Sequence, residues 1–321
     1  MAMRHNRILD RALTRLKLRQ LWLLLAVSQQ GSIQNAARDL GISQPAATKM
    51  IQDLELDFEV KLFERTNRGV VPTVFGEALI RHGKLIFAQV SNAAQELDDL
   101  SEGNSGRVVV GTLLAASPTL LPLAIEHLLK DRPKVAIKIV EGTNEVLMPS
   151  LLSGDVDMVV GRLPSHRHRV KIVQEKFFDE RVLAVVGPQH PLANARSVTF
   201  ERLKPFGWIL SPPETTLRRQ TDQYFIKQDQ FSPRVMVESV SYLANRSLLR
   251  SHEFLAVVPA HVATTDIERG LLAQIDWTVP FGAGPVGVSH RGEDGLSPAG
   301  AAFLGALRKA SDILKGTRGQ E

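Results

Sequence analysis

Four side chains near the start of the chain, Gln44, Thr48, Lys49 and Gln52, have the types and the spacing to read DNA. Offsets of four, one and three keep them close together on a helix. Amides pair with adenine, a hydroxyl serves several bases, and a lysine reaches guanine or a phosphate. Ser43 precedes them as an N-cap, and Pro45 falls in the first turn, where a missing N–H costs little. Upstream, Ser32 caps a shorter helix in which Ile33, Ala36, Ala37 and Leu40 form an apolar face. Gly41 supplies the left-handed backbone that ends it. A helix, a tight turn and a capped second helix predict a helix-turn-helix whose second helix enters the major groove. An ordinary helical hairpin inside a core is the competing reading, and the surroundings weigh against it.

Other chemistry-bearing residues form no comparable set. His166-Arg167-His168-Arg169 has no acidic or cysteine partner at ligand spacing, and its arginines would repel a cation. A solvated basic loop is expected there, and no metal. Ser, His and Asp are scattered through the second half without a G-x-S-x-G elbow, and Leu113 to Leu121 holds no glycine-rich phosphate loop. Neither a catalytic centre nor a cofactor is expected. Arg162, after a short apolar run, can meet a carboxylate bidentately, or can equally be a surface arginine at a crossover.

Composition bounds the class. The 321 residues suffice for two or three domains, and 44% hydrophobic against 23% charged residues is ordinary for a globular protein. The net charge of +5 is modest, but residues 1–50 carry eight Lys or Arg against two acids, whereas residues 51–100 carry five against nine. The basic segment coincides with the helix-turn-helix, as phosphate contact requires, although a solvated tail explains Arg4 to Arg15 equally well. The absence of cysteine excludes a disulfide scaffold and thiol-based sensing. No apolar run approaches the ~20 residues of a membrane span. Leu21 to Val27 is too short for a signal-peptide core and leads into Ser28-Gln29-Gln30-Gly31 rather than a cleavage site. A cytoplasmic protein without membrane contact is expected.

The elements that must hold these residues follow from periodicity and turn chemistry. Leu18 to Gln29 reads as a helix, and the second helix of the motif runs to about Asp57. Val60–Phe63 and Val70–Pro72 bracket Thr66-Asn67-Arg68-Gly69, a hairpin signal that beside the motif makes a wing. Its tip offers Arg65, Asn67 and Arg68 to a minor groove or to phosphates. Thr73 caps a helix without a strong breaker until Gly103, along which Phe75, Leu79, His82, Ile86, Gln89, Ala93, Leu97 and Leu100 approximate a heptad seam. Such a stripe needs a partner, and a second copy of the chain is the simplest one. Residues 101–106 are a linker. Beyond it short β-rich runs alternate with helical ones, which predicts a parallel sheet with helical crossovers, arranged as two α/β lobes with a ligand cleft between them. The expected domains are 16–73, a winged helix-turn-helix; 74–105, a linker and pairing helix; and 106–315, a two-lobed ligand-binding domain. Within the last, one lobe takes 106–162 and 266–315 and the other 163–265.

Residues 16–73 closely resemble the winged helix-turn-helix of LysR-type transcriptional regulators. The resemblance is carried by Arg19-Gln20-Leu21, Gly31-Ser32, Ala36-Ala37, Ile42-Ser43-Gln44-Pro45-Ala46, Leu54-Glu55, Leu62-Phe63-Glu64-Arg65, Gly69, Thr73 and Gly76. It extends through Leu152-Ser153-Gly154-Asp155-Val156-Asp157 and Leu255-Ala256-Val257-Val258-Pro259, which look like landmarks of that family's effector domain, of the periplasmic-binding-protein type. The pattern is nearer to the regulators of galactose-binding protein and protocatechuate catabolism than to the peroxide sensors. The resemblance implies a DNA-binding regulator that responds to a small molecule, for which a carboxylate or a sugar is expected; the unpartnered helix stripe adds the expectation of a homodimer or a homotetramer. It implies Gln44, Thr48, Lys49 and Gln52 in the major groove, Ser32, Gln34 and Ser43 near phosphates, and Pro45 and Ala46 at close backbone approach. For the effector it implies the loop at Leu114, Ala115 and Ser117; Thr143 and Asn144, Ser211 and Arg162 are further candidates. Glu59 stands where the family usually has glycine, so a turn of different shape is expected there. A solute-binding protein or an enzyme on the same scaffold are the alternatives; the first would need an export signal and no helix-turn-helix, the second a convergent acid, base or nucleophile.

Overall fold

The computed structural model describes residues 2–66, 69–102, 105–164, 172–227, 233–282 and 284–318. The chain divides into two compact units, Met1–Ser91 and Asn92–Glu321.

The first unit is a helical core closed by a hairpin. Helices α1 (Ala2–Arg15), α2 (Leu18–Gln30), α3 (Ile33–Asp39) and α4 (Gln44–Phe58) are followed by strands β1 (Phe63–Thr66) and β2 (Gly69–Pro72) and the start of α5 (Val74–Glu102). Leu21, Leu23, Leu24 and Val27 of α2 meet Ala36 and Ala37 of α3 and Ala47, Ile51 and Leu54 of α4 in one buried cluster. The alanines are the reason α3 and α4 can approach so closely, while each buried leucine contributes about 1.5–3 kcal/mol. The side of α2 turned inward takes in Leu23 and Val27, both fully buried, whereas Leu25 and Ser28 are only half-buried. Strands β1 and β2 pair antiparallel from Phe63 opposite Pro72 to Thr66 opposite Gly69. Gly76 of α5 is required by close approach, because a Cβ there would lie 2.0 Å from the Leu62 carbonyl oxygen.

The second unit holds two five-stranded sheets. Strands β3 (Ser105–Thr112), β4 (Lys134–Glu141) and β5 (Met158–Arg162) are linked by α6 (Leu120–Asp131) and α7 (Asn144–Ser153) and pair in parallel. Next come β6 (Val173–Glu180) and β7 (Val182–Val186), then α8 (Phe200–Leu203), β8 (Gly207–Leu210), α9 (Thr216–Lys227), β9 (Val235–Glu238), α10 (Tyr242–Ser251), β10 (Phe254–Pro259), α11 (Ala260–Glu268), β11 (Ala273–Gln274), β12 (Gly284–His290) and α12 (Pro298–Arg318). The first sheet runs β4-β3-β5-β12-β6 and the second β11-β7-β10-β8-β9.

Both sheets are mixed rather than parallel, a correction with a topological cause. The chain leaves the first lobe along β6 and returns along β12, and β12 lies antiparallel to both β5 and β6. The lobe boundaries shift for the same reason. Val173–Glu180, expected in the second lobe, belongs to the first sheet, and Ala273–Gln274, expected in the first, belongs to the second. Strand β6 is hard to read because it is an edge strand rich in charge, as edges often are. A register shift opposite Val286 and Gly287 also lets the adjacent Phe177 and Phe178 both turn inward, which breaks its alternation. The first lobe's core joins β3, β5, α6 and α12 around Phe303; the second surrounds Trp208 and Phe225.

Candidate functional site

The outer surface of α4 is built by its two faces. Ala47, Ile51 and Leu54 are buried, which leaves Gln44, Pro45, Ala46, Lys49 and Gln52 exposed and Thr48 half-buried. Both expected caps form. Ser32 Oγ accepts the Asn35 N–H at 3.3 Å and Ser43 Oγ accepts that of Ala46 at 3.4 Å. Gln34, in the first turn of α3, is exposed. Gln44, Pro45, Thr48, Lys49 and Gln52 line one shallow groove with Asp53 and Leu56, two residues the sequence argument omitted. Leu56 is 69% exposed on the same side, and its offset of four from Gln52 was the signal available.

Glu55 ties this helix to the hairpin. One carboxylate oxygen accepts the Leu62 N–H at 2.9 Å, and the other meets Lys61 Nζ at 2.7 Å. Thr73 donates to the Lys61 carbonyl at 2.7 Å and receives the Gly76 N–H at 3.1 Å, fixing the exit into α5. Arg65 is exposed on β1, whereas Asn67 and Arg68 lie outside the described residues, as does His166-Arg167-His168-Arg169.

Glu59 takes left-handed backbone, φ 56° and ψ 37°, as the C-cap of α4. The backbone there is the one glycine favours, so the departure from glycine brings strain rather than the expected new turn. Arg11 of α1 donates to Glu59 at 2.9 Å, and Arg15 lies 3.8 Å from Asp57. Two arginines of the basic N-terminal segment are thus engaged by the acidic end of α4, where the helix dipole also favours cations.

A cavity of about 400 Å³ opens between the lobes of the second unit. Of the expected ligand residues, Leu114, Ala115, Thr143, Asn144, Arg162 and Ser211 line it. Ser117 does not, which is a correction: the turn after β3 sends Leu114 and Ala115 to the cleft and Ala116 into the core, and Ser117 falls beyond. Sequence reasoning missed the contributions of Thr215, Thr216, Ser239, Ser241, Tyr242 and Asn245 from the second lobe. The Ser241 N-cap, which accepts the Ala244 N–H at 3.4 Å, was the legible sign of a helix start there.

Arg162 is buried rather than on the surface. Its Nη1 donates to the Gly282 carbonyl on the returning segment, and burial lowers its pKa while the charge of Glu180 opposes that shift. Asn144 Nδ2 donates to the Arg162 carbonyl at 3.1 Å. Tyr242 donates to Asp266 at 2.7 Å; burial, then this bond, pushes its phenol well above the usual range. At the cleft mouth Arg219 of the second lobe meets Glu145 of the first at 3.3 Å. No group of three or more His, Asp or Glu suited to a metal occurs among the described residues, and no described helix is long and apolar enough to cross a membrane.

Comparison with known proteins bears on both sites. Residues 18–77 match the model of bacterial regulatory helix-turn-helix proteins of the lysR family, and residues 101–312 match the LysR substrate binding domain. The transcriptional regulator GbpR of Azospirillum brasilense is 33% identical over 299 residues, covering 93% of this chain and 87% of GbpR. The regulator PcaQ of Agrobacterium fabrum is 29% identical over 300 residues, 94% of this chain and 96% of PcaQ. The fold is similar to that of full-length CbnR complexed with its target DNA, with a TM-score of 0.64 at 22% identity, covering 92% of this chain and 100% of CbnR.

Proposed function

Because the chain belongs to the family of LysR-type transcriptional regulators, we propose that α4 reads its operator while the cleft between the lobes takes a small-molecule effector. Gln44, Thr48 and Gln52 meet base edges and Lys49 a guanine or a phosphate, Pro45 and Ala46 let the backbone approach, and Ser32, Gln34 and Ser43 meet phosphates. Arg65 reaches phosphates or a minor groove from the hairpin, together with Asn67 and Arg68. Leu114, Ala115, Thr143, Asn144, Arg162 and Ser211 contact the effector. The observation that carries this reading is the outer face of α4, a capped helix with one side buried and amides and a lysine exposed on the other.

The chain works as a homodimer or as a pair of dimers. Val74, Phe75, Ile86, Val90 and Leu97 of α5 are exposed apolar side chains, and a second copy is the simplest cover for them. Its place of work is the cytoplasm, where the chromosome is. The effector alters promoter contacts only as far as it binds one lobe arrangement better than another. An enzyme on this scaffold would need a convergent nucleophile or acid–base pair lining the cleft, and no observation favours that reading.

The test is thermal unfolding of the full chain with candidate effectors. A true effector at a hundredfold excess over its Kd raises stability by about 2.7 kcal/mol and changes operator affinity. Leu114→Trp, which fills the cleft, abolishes both effects. Undiminished effects in that variant would remove the cleft from the mechanism.

A further inference from the structure

Three helices begin at the cleft. Thr143 and Asn144 open α7, Thr215 and Thr216 precede or open α9, and Ser241 and Tyr242 open α10; all six residues line the cavity. The N-cap Thr143 makes no side-chain capping bond. The start of α7 keeps its N–H groups uncapped, whereas Thr215 accepts the Arg218 N–H and Ser241 that of Ala244, so α9 and α10 add chiefly the partial positive charge of their ends. Three such ends favour an anion but do not identify one.

The buried polar atoms narrow the choice. Arg162 is 7% exposed, and its Nη2 has no hydrogen-bond partner in a cavity it lines. Asn144 and Asn245 are each 6% exposed, and the Oδ1 of each is unpartnered. The Asn144 amide cannot be turned the other way without setting its oxygen against the Arg162 carbonyl, so Oδ1 is an acceptor awaiting a donor. The first lobe thus offers one cationic donor and one acceptor, and the second lobe offers another acceptor. Buried groups of this kind are costly unless a ligand satisfies them.

Charge sets the number of anionic groups. Arg162 is the one cation among the described lining residues, and Glu141 and Glu145 also line the cavity. Arg219, at the mouth, is already engaged by Glu145. A second carboxylate on the ligand would find no further cation and two acids.

Building on the reading of the cleft as the effector site, we propose that its ligand is a small hydroxylated monocarboxylate. The carboxylate accepts from Arg162 Nη2 and from the N–H groups at the start of α7. A hydroxyl hydrogen goes to Asn245 Oδ1 in the second lobe while the carboxylate lies on Arg162 in the first, so even a one-hydroxyl acid spans both lobes, and a second hydroxyl would supply Asn144 Oδ1. A neutral sugar leaves the helix ends uncompensated, and an unsubstituted acid leaves both amide oxygens without a donor.

The experiment uses the full chain and three matched fragments, glycolate, acetate and ethylene glycol, at constant ionic strength up to about 100 mM, a range suited to ligands of so few atoms. Binding is read by thermal shift and by NMR line broadening of the fragment. Glycolate is expected to bind about tenfold tighter than either partner. Arg162→Gln should weaken glycolate about tenfold, and the near-isosteric Asn245→Asp, which adds a further negative charge to those of Glu141 and Glu145, should do the same without affecting ethylene glycol. If Arg162→Gln fails to fold, the aspartate variant carries the test. Equal binding of acetate, equal binding of ethylene glycol, or no binding of any fragment would overturn the proposal. A neutral sugar or an amine that binds and is excluded by Leu114→Trp would overturn the ligand class while leaving the cleft as the effector site; ligand binding unaffected by Leu114→Trp would overturn both.

Discussion

At the scale of single residues, the side chains of α4 divide into those that choose a sequence and those that hold any DNA. Gln44→Ala should lose about 1–3 kcal/mol of discrimination at one operator position and relax the preference there. Lys49→Met, if it loses one phosphate contact, should weaken binding to all sequences alike and reduce the slope of log affinity against log salt by about 0.9. Titration of labelled duplexes at several salt concentrations separates the two. His190 yields a prediction about pH. Its imidazole is buried, accepts the Leu192 N–H at 3.1 Å and packs 4.4 Å from Phe206, and burial holds its pKa below the ordinary value. Arg308 lowers the pKa of Glu175 in the same unit, chiefly by hydrogen bonding. Both shifts are depressions. The stability they contribute is therefore present above the unfolded values, near 6.5 for the histidine and 4.5 for the glutamate, and is lost as pH falls through the folded ones. The unfolding midpoint should hold above about pH 7 and begin to drop below about 6.5, and His190→Gln should flatten the first part of that drop. The caps and the apolar spacing around these residues were legible because they are set by neighbours within four positions. The burial of Arg162 was not, because it arises from a segment 120 residues away.

At the scale of elements, the junction between α4 and the hairpin controls how the wing is presented. Glu55 supplies two contacts across it with a side chain only 10% exposed, so Glu55→Ala should cost about 1.5–3 kcal/mol. Amide exchange along β1 and β2 should accelerate in that variant while α2 stays protected. Glu59 tests the neighbouring turn. Glycine relieves left-handed strain of about 1–2 kcal/mol but gives up the Arg11 contact, worth about 0.2–1 kcal/mol near the surface. The expected order of melting temperature is Glu59→Gly at or above the parent, and Glu59→Val below it; a less stable glycine variant would show that the α1 contact outweighs the strain. Elements with strong short-range signals matched the sequence reading, among them α3, α4 and the hairpin. Strand β6 escaped because its charged edge and its bulge obscure the alternation. Helix α11 escaped because it starts directly from Pro259 without a polar cap. The expectation for α1 was open, and its docking on α4 depends on a contact 48 residues away in sequence.

At the scale of the whole molecule, two units of different kind share one chain: one presents a helix face, the other encloses a cleft. Pairing of copies should depend on the exposed stripe of α5. Val90→Asp with Leu97→Asp is expected to lower the mass measured by light scattering to that of a single chain, while the lobes still unfold cooperatively. Two lobes and a cleft were legible from the alternation of strands and helices; their boundaries were not, because crossing strands share the composition of the lobes they leave. The central claim is that α4 gives the chain a sequence preference. The measurement that reaches it most directly is selection of binding sites by the full protein from a pool of random duplexes, repeated with Gln44→Ala. The parent should enrich a two-fold related pair of half-sites, and the variant should lose preference at one position in each. No enrichment by the parent, or an unchanged consensus in the variant, would contradict it.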